Sequence, residues 1–402
     1  MDISIPTRIL ERVLQLSKIS IFSNLDRYIV YWPLFVIGLV LSFILTPLLG
    51  KLAYKWGVTY RPRTKRRGRE YDNPEKALHD KETPSLGGLA ITIPLLFAIL
   101  VFFRLDAFTI PIIISLFILV LGSILDDIFN LPSKVQLFFQ IFASLIVAFS
   151  IIDLTHISFF SSDFINLTSL IWRFNLFSIP FSFVFPGDLI LFLWILLCIN
   201  SVKWVGGSPG LIESYSLVIF VLLFIIGVRT YSLFTSSLSV FISGGLLSLL
   251  FFAFPPPKIM SGSTGKSLYG FLISILALIT GIKFSITIML VALPVIDSMF
   301  VLINRYITYK PKNLLELMRI NDTSHLHHKL LQLNLSSRQV LLIETTFALL
   351  IGSIAILSVG AFRYFALIFT LFLIIAFIAY INYRASKKES EERKSPESKY
   401  SY

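Results

Sequence analysis

The sequence predicts an all-α polytopic membrane protein of about eleven transmembrane helices, N terminus outside and C terminus inside. Its polar, catalytic-type loops fall on the cytoplasmic face. Three observations predict this. Of 402 residues, 55% are hydrophobic and only 14% are charged, against about 25% charged in a soluble domain. Apolar runs near the ~20 residues that cross a bilayer recur along the chain. Lys and Arg gather in alternate connections, as the positive-inside preference requires.

The predicted spans are Ile29–Leu52, Ser85–Phe103, Phe108–Leu125, Val135–Ile152, Leu189–Asn200, Leu211–Val228, Leu233–Phe254, Leu268–Ile282, Phe284–Leu302, Val340–Gly360 and Phe362–Tyr380. The fifth and eighth are short, as expected of tilted or half-buried segments. The loop after the first span carries Lys55, Arg61, Arg63, Lys65, Arg66, Arg67 and Arg69 and is therefore assigned to the cytoplasm. Alternation then makes Ala53–Pro84, Asp126–Lys134, Ser201–Gly210, Pro255–Ser267 and Ile303–Gln339 the inner connections. The outer ones are Arg104–Ala107, Asp153–Asp188, Arg229–Ser232, a turn near Lys283, and Ala361.

Residues 1–28 read as an amphipathic interfacial segment, with Ile9, Leu10 and Val13 set among Arg8, Glu11 and Arg12. Residues 29–382 form one transmembrane domain. The outer Asp153–Asp188 stretch alternates through Phe181-Ser182-Phe183-Val184-Phe185, as a short hairpin would. Residues 383–402 carry a charge run and are expected to form a disordered cytoplasmic tail. The net charge of +12 lies mostly in loops. It sets orientation and attracts anionic lipid or phosphate, and does not imply nucleic acid. The single Cys198 excludes an intrachain disulfide. No secretory signal is expected, because the first apolar stretch is long enough to span and be retained. The absence of an internal repeat argues against a transporter.

Five polar clusters thread to the same side. The first is His79-Asp80-Lys81-Glu82-Thr83-Pro84-Ser85-Leu86-Gly87-Gly88, where Lys81 suits a phosphate. The second holds Asp126 and Asp127, followed by Lys134 and Gln140. Adjacent carboxylates at a membrane boundary are costly and need a reason. They suit Mg²⁺, or one serves as a general base, or they mark a solvated helix end. The third, Asn200 to Gly210, carries Lys203 in a Gly-rich turn. The fourth, Pro255 to Ser267, contains Gly265-Lys266-Ser267. It is not a Walker motif, because Met260 stands at the first glycine position and no strand precedes it. Lys266 beside a backbone nest remains open. The fifth contains His325, His327 and His328, three of the five histidines. His325 and His328 are placed on one helix face. A transition-metal site and imidazoles contacting a diphosphate are both open readings.

The order of these clusters resembles the polyprenyl-phosphate N-acetylhexosamine-1-phosphate transferases, glycosyl transferase family 4. The resemblance runs from about Lys55 to Gln339. It rests on Thr83-Pro84 with Gly87-Gly88, Asp126-Asp127 with Lys134 and Gln140, Pro294 with Asp297, and His325-Leu326-His327-His328. It implies transfer of a sugar-1-phosphate from a UDP-N-acetylhexosamine to a polyprenyl phosphate, with release of UMP, in cell-envelope glycan synthesis. It implies a multi-pass protein of the plasma (inner) membrane. The lipid bilayer, the UDP-sugar and the polyprenyl phosphate are its partners, and a homodimer or heteromeric partner is left open. Lys81, Asp126, Asp127, His325, His327 and His328 would be catalytic. Asn200, Lys203, Lys134, Lys266 and Asp297 would bind substrate, and Asp126 and Asp127 would meet Mg²⁺.

The chain departs from the family's Asn-x-x-Asn-x-x-Asp-Gly-x-Asp-Gly pattern. Asn200, Gly207 and Gly210 match, while Lys203, Gly206 and Pro209 replace the second Asn and both Asp. Ser263 stands where the family has a metal-binding Asp. Two readings follow: an enzyme in which Lys203 and Lys266 supply the positive charge, or a paralogue that binds nucleotide sugar or lipid phosphate without turnover.

Overall fold

The computed structural model describes residues 26–60, 82–157, 165–176, 179–281, 284–313, 316–317, 320, 322–360 and 362–394. Thirteen helices are named here. They are α1 (Asp26–Ile29), α2 (Trp32–Trp56), α3 (Leu89–Phe102), α4 (Thr109–Phe129), α5 (Ser133–Ala148), α6 (Gly187–Val205) and α7 (Leu211–Arg229). They continue with α8 (Leu233–Ala253), α9 (Gly262–Ile279), α10 (Phe284–Tyr309), α11 (Leu326–Gln332), α12 (Ser337–Leu357) and α13 (Phe362–Lys394). Among the described residues, nine helices are long and apolar enough to cross a membrane, and α3 and α5 are shorter apolar helices. The chain is a multi-pass membrane protein.

The helix ends depart from the expected boundaries in an informative way. α4 runs through Asp126 and Asp127 to Phe129, α6 runs through Lys203 to Val205, and α9 starts at Gly262. Asp126, Asp127, Asn200, Lys203 and Gly262 to Ser267 therefore lie in terminal turns of membrane helices rather than in loops between them. The fifth and eighth spans looked short only because their polar ends were assigned to connections. α3 is shorter than its span because Ser85 to Gly88 is not helical. Gly87 N–H donates to Met260 O at 2.9 Å and Gly88 N–H to Ser261 O at 2.9 Å.

Nor does the chain become irregular after Tyr383: α13 continues as helix to Lys394. Lys387 and Glu391 pair at i,i+4, and Lys388 Nζ donates to Gln332 O at 2.7 Å. The interfacial segment Ile5–Phe22 lies outside the described residues, as does most of the basic loop, Lys81 included.

Between packed membrane helices there is no water to exclude, so close packing and polar bonds hold them together. Trp194 Nε1 donates to Ser274 O at 3.3 Å, Tyr215 Oη to Leu290 O at 3.0 Å, and Thr235 Oγ1 to Leu276 O at 3.2 Å. These bonds tie α6, α7 and α8 to α9 and α10. α9 is the most enclosed span, 83% buried against 28% for α2 and for α13. Far from the polar clusters, β5 (Thr168–Leu176) pairs antiparallel with β6 (Ile179–Pro186) as the expected hairpin, Trp172 opposite Phe183. Two further antiparallel pairs are short: β1 (Thr59–Tyr60) pairs with β2 (Thr83–Pro84), and β3 (His156–Ile157) with β4 (Ile165–Asn166). Asp188 fastens the hairpin to α6 by accepting from Leu154 N–H at 3.1 Å and Val184 N–H at 2.5 Å.

Candidate active site

The site is built where four helix ends meet. Gly262 opens α9 with φ +67, and a Cβ there would stand 1.9 Å from Ser85 O, so glycine is required. The next two residues present their N–H groups to α4. Asp127 Oδ1 accepts from Ser263 N–H at 2.8 Å. Its Oδ2 accepts from Thr264 N–H at 3.1 Å and from Thr264 Oγ1 at 2.9 Å. This is a carboxylate capping a helix N-terminus from another helix, a placement the helix dipole favours. Asp126 turns the other way. Ser263 Oγ donates to its Oδ2, and Gln136 Nε2 donates to its Oδ1 at 2.8 Å.

Two polar rungs join α5 to α6. Lys203 Nζ donates to Gln136 Oε1 at 2.6 Å, and Asn200 Nδ2 donates to Gln140 Oε1 at 2.9 Å. Gln136 and Gln140 lie at i,i+4 on one face of α5. Lys134, expected at the site, is exposed on another face, and Gln136 takes the place beside Asp126.

The fourth cluster leans on a residue the sequence reading passed over. Buried Glu213 on α7 accepts from Ser261 Oγ at 2.5 Å and from Ser261 N–H at 3.3 Å. A lone acid inside an apolar span was the signal that could have found it. Lys266, one turn into α9, feels the Glu213 charge and lies over the Tyr60 ring at 5.6 Å.

The histidine cluster docks on α10. Asp297 accepts from Leu326 N–H at 2.9 Å, and His325 Nδ1 hydrogen-bonds its other oxygen at 2.8 Å. Asp297 thus anchors the histidines. His325 is the N-cap of α11 with an extended backbone, so it does not share a helix face with His328. Instead the rings form a row: His325 stacks on His327 at 5.8 Å, and His327 touches His328 at 4.3 Å. Trp204 of α6 packs on His325 at 5.4 Å, and buried Arg305 lies over Trp204 while pairing with half-buried Asp322 at 2.9 Å. Burial pushes the Asp322 carboxyl up. Hydrogen bonds from Arg305 and Ser324 outweigh it and hold the group below its usual range. Burial pushes the His327 imidazole well below the usual histidine range, reinforced by positive charge at His328, His325 and Lys266.

The described parts of all five clusters therefore meet. The second and fourth join through the aspartates, the second and third through Gln136 and Gln140. The third meets the fifth through Trp204 and His325, and the first meets the fourth through Gly87 and Gly88.

The donor set does not fit a resident Mg²⁺. Both aspartates spend their oxygens on protein donors, and Ser263 offers a hydroxyl where an acid would be needed. Among the described residues, no three His, Cys, Asp or Glu side chains converge as ligands. The cavity between Asp126, Gln136, Gln140 and Lys203 is about 10 Å³. That is room for roughly one water, whereas Mg²⁺ usually keeps several.

A family model for glycosyl transferase family 4 matches residues 109–281, the stretch from the start of α4 to just past α9. The chain is 26% identical over 358 residues to the "Probable undecaprenyl-phosphate N-acetylglucosaminyl 1-phosphate transferase" of Bacillus subtilis (strain 168), covering 86% of this chain and 90% of the relative. The matched stretch spans α4 to α9 and so contains Asp126, Asp127, Asn200, Lys203 and Lys266.

Proposed function

We propose that this protein transfers a sugar-1-phosphate from a UDP-N-acetylhexosamine to a polyprenyl phosphate at the plasma membrane, in cell-envelope glycan synthesis. UDP-N-acetylglucosamine is the first donor to test, since the similar Bacillus protein bears that sugar in its name. An oxygen of the lipid phosphate attacks the sugar-bearing phosphorus of the donor. The bond from that phosphorus to the bridging oxygen breaks, its electron pair leaves with UMP, and a lipid diphosphate sugar remains. A phosphate monoester is largely ionised at neutral pH, so no side chain has to take a proton from the nucleophile. Positioning and charge neutralisation carry such a reaction.

The observation that carries this reading is the convergence of the five clusters at one end of the bundle. In it, Asp127 and Asp126 fix the start of α9 and so place Lys266. Asn200 faces the nucleotide side, and Lys203 and the histidines face the diphosphate. Full-length protein in detergent, given undecaprenyl phosphate with UDP-N-acetylglucosamine or UDP-N-acetylmuramoyl-pentapeptide, is expected to release UMP. Absence of UMP with every donor, with and without Mg²⁺, favours the second reading. The observation behind that one is that every oxygen of both aspartates is engaged by a protein donor: a paralogue that binds its ligands and does not turn them over.

A further inference from the structure

Gly206 and Gly207, which follow the last residue of α6, are held bare by their neighbours. A Cβ on Gly206 would lie 2.5 Å from Lys266 Cε and 3.1 Å from Nζ, and one on Gly207 would lie 2.1 Å from His327 Nε2. Lys266 of α9 and His327 of α11 therefore lie flush against the backbone where α6 ends. A side chain at position 206, where the family pattern carries an acid, would press on the end of the Lys266 chain and oblige it to move. Lys203 stands one turn earlier on α6, with Gly206 N–H donating to its carbonyl at 3.2 Å. His327 Nε2 is buried, faces this spot and has no hydrogen-bond partner among the described residues. A buried nitrogen without a partner is costly, and a bound acceptor or donor would relieve it.

We propose that the protein holds the diphosphate of its nucleotide ligand through Lys203 and Lys266, with His327 as a third contact and without a divalent cation. The proposal rests on the transferase reading only for the class of ligand. The bridging diphosphate of a nucleotide sugar carries two negative charges, which two ammonium groups match. Lysine serves phosphate as a point charge and needs no coordination geometry. Glu213 holds the α9 approach and balances part of the Lys266 charge.

Calorimetric titration of the full-length protein with UDP, in EDTA and in Mg²⁺, tests this. UDP is expected to bind in EDTA, with little change on adding Mg²⁺. Lys266→Met and Lys203→Met are expected to weaken binding about tenfold or more, the scale of a lost charge-assisted contact. Lys203→Arg should recover part of the loss. Lys266→Gln replaces Lys266→Met if the latter does not fold, as judged by its melting temperature. Binding only with Mg²⁺, no binding in either condition, or lysine variants that bind like the parent each overturn the proposal. UDP binding in EDTA with no UMP release supports it and sinks the transfer reading. UMP release and UDP binding that both require Mg²⁺ do the reverse.

Discussion

The aspartate wall and the basic wall of the site stand one side chain apart, with Gln136 bridging Asp126 to Lys203. On the first wall, every carboxylate oxygen of Asp126 and Asp127 accepts a protein donor. On the second, a buried imidazole nitrogen has no partner among the described residues, and two glycines keep side chains away from Lys266 and His327. The difference teaches which wall is structural. A group engaged by protein donors on every oxygen holds the fold, whereas a buried nitrogen left without a partner is poised for a ligand.

That contrast can be broken by substitution. Asp127→Ala should have the largest effect, because it strands the N–H groups of Ser263 and Thr264. Each stranded buried donor costs about 1–3 kcal/mol. The melting temperature in detergent should drop sharply, and turnover should go with it. Asp127→Asn keeps an acceptor oxygen and should recover much of the melting temperature. A full recovery of stability with turnover still abolished would show Asp127 to be chemical rather than structural.

His327 gives the next largest effect, and its sign follows from its shift. Its folded pKa lies below the unfolded value of about 6.5. The unfolded chain therefore binds a proton first, so stability is complete above that value and is lost as pH falls below it. Melting temperature should decline from pH 7 to pH 5, and the decline should shrink in His327→Gln. An unchanged decline would place the pH response elsewhere. Ser263→Ala should cost least, about 1 kcal/mol for one hydrogen bond, with no change in the response to EDTA. Ser263→Asp should instead crowd a third carboxylate against Asp126 and make UDP binding newly responsive to Mg²⁺.

Much of this was legible in the sequence, for a definite reason. The clusters are short runs of adjacent polar residues between long apolar stretches, and apolar length fixes the helix order. Residues whose partners lie on other helices were harder to read. Gln136 is an isolated amide two residues from the more conspicuous Lys134, and only the i,i+4 spacing to Gln140 marks the inward face. The His325 conformation depends on the reach of Asp297 from α10, which no local pattern encodes. The helix ends were misplaced because polar residues were equated with loops. In a membrane protein a polar final turn is stable wherever another helix satisfies it.

α13 spans 33 residues, about 50 Å at 1.5 Å per residue, well beyond a hydrocarbon layer of about 30 Å. Its far portion works as a strut: Lys388 braces the carbonyl of Gln332, the final residue of the helix that carries His327 and His328. Shortening the chain before Lys388 would therefore slacken the imidazole row from a distance, and a fluorescent fusion is better placed after the final residue than inside this rod.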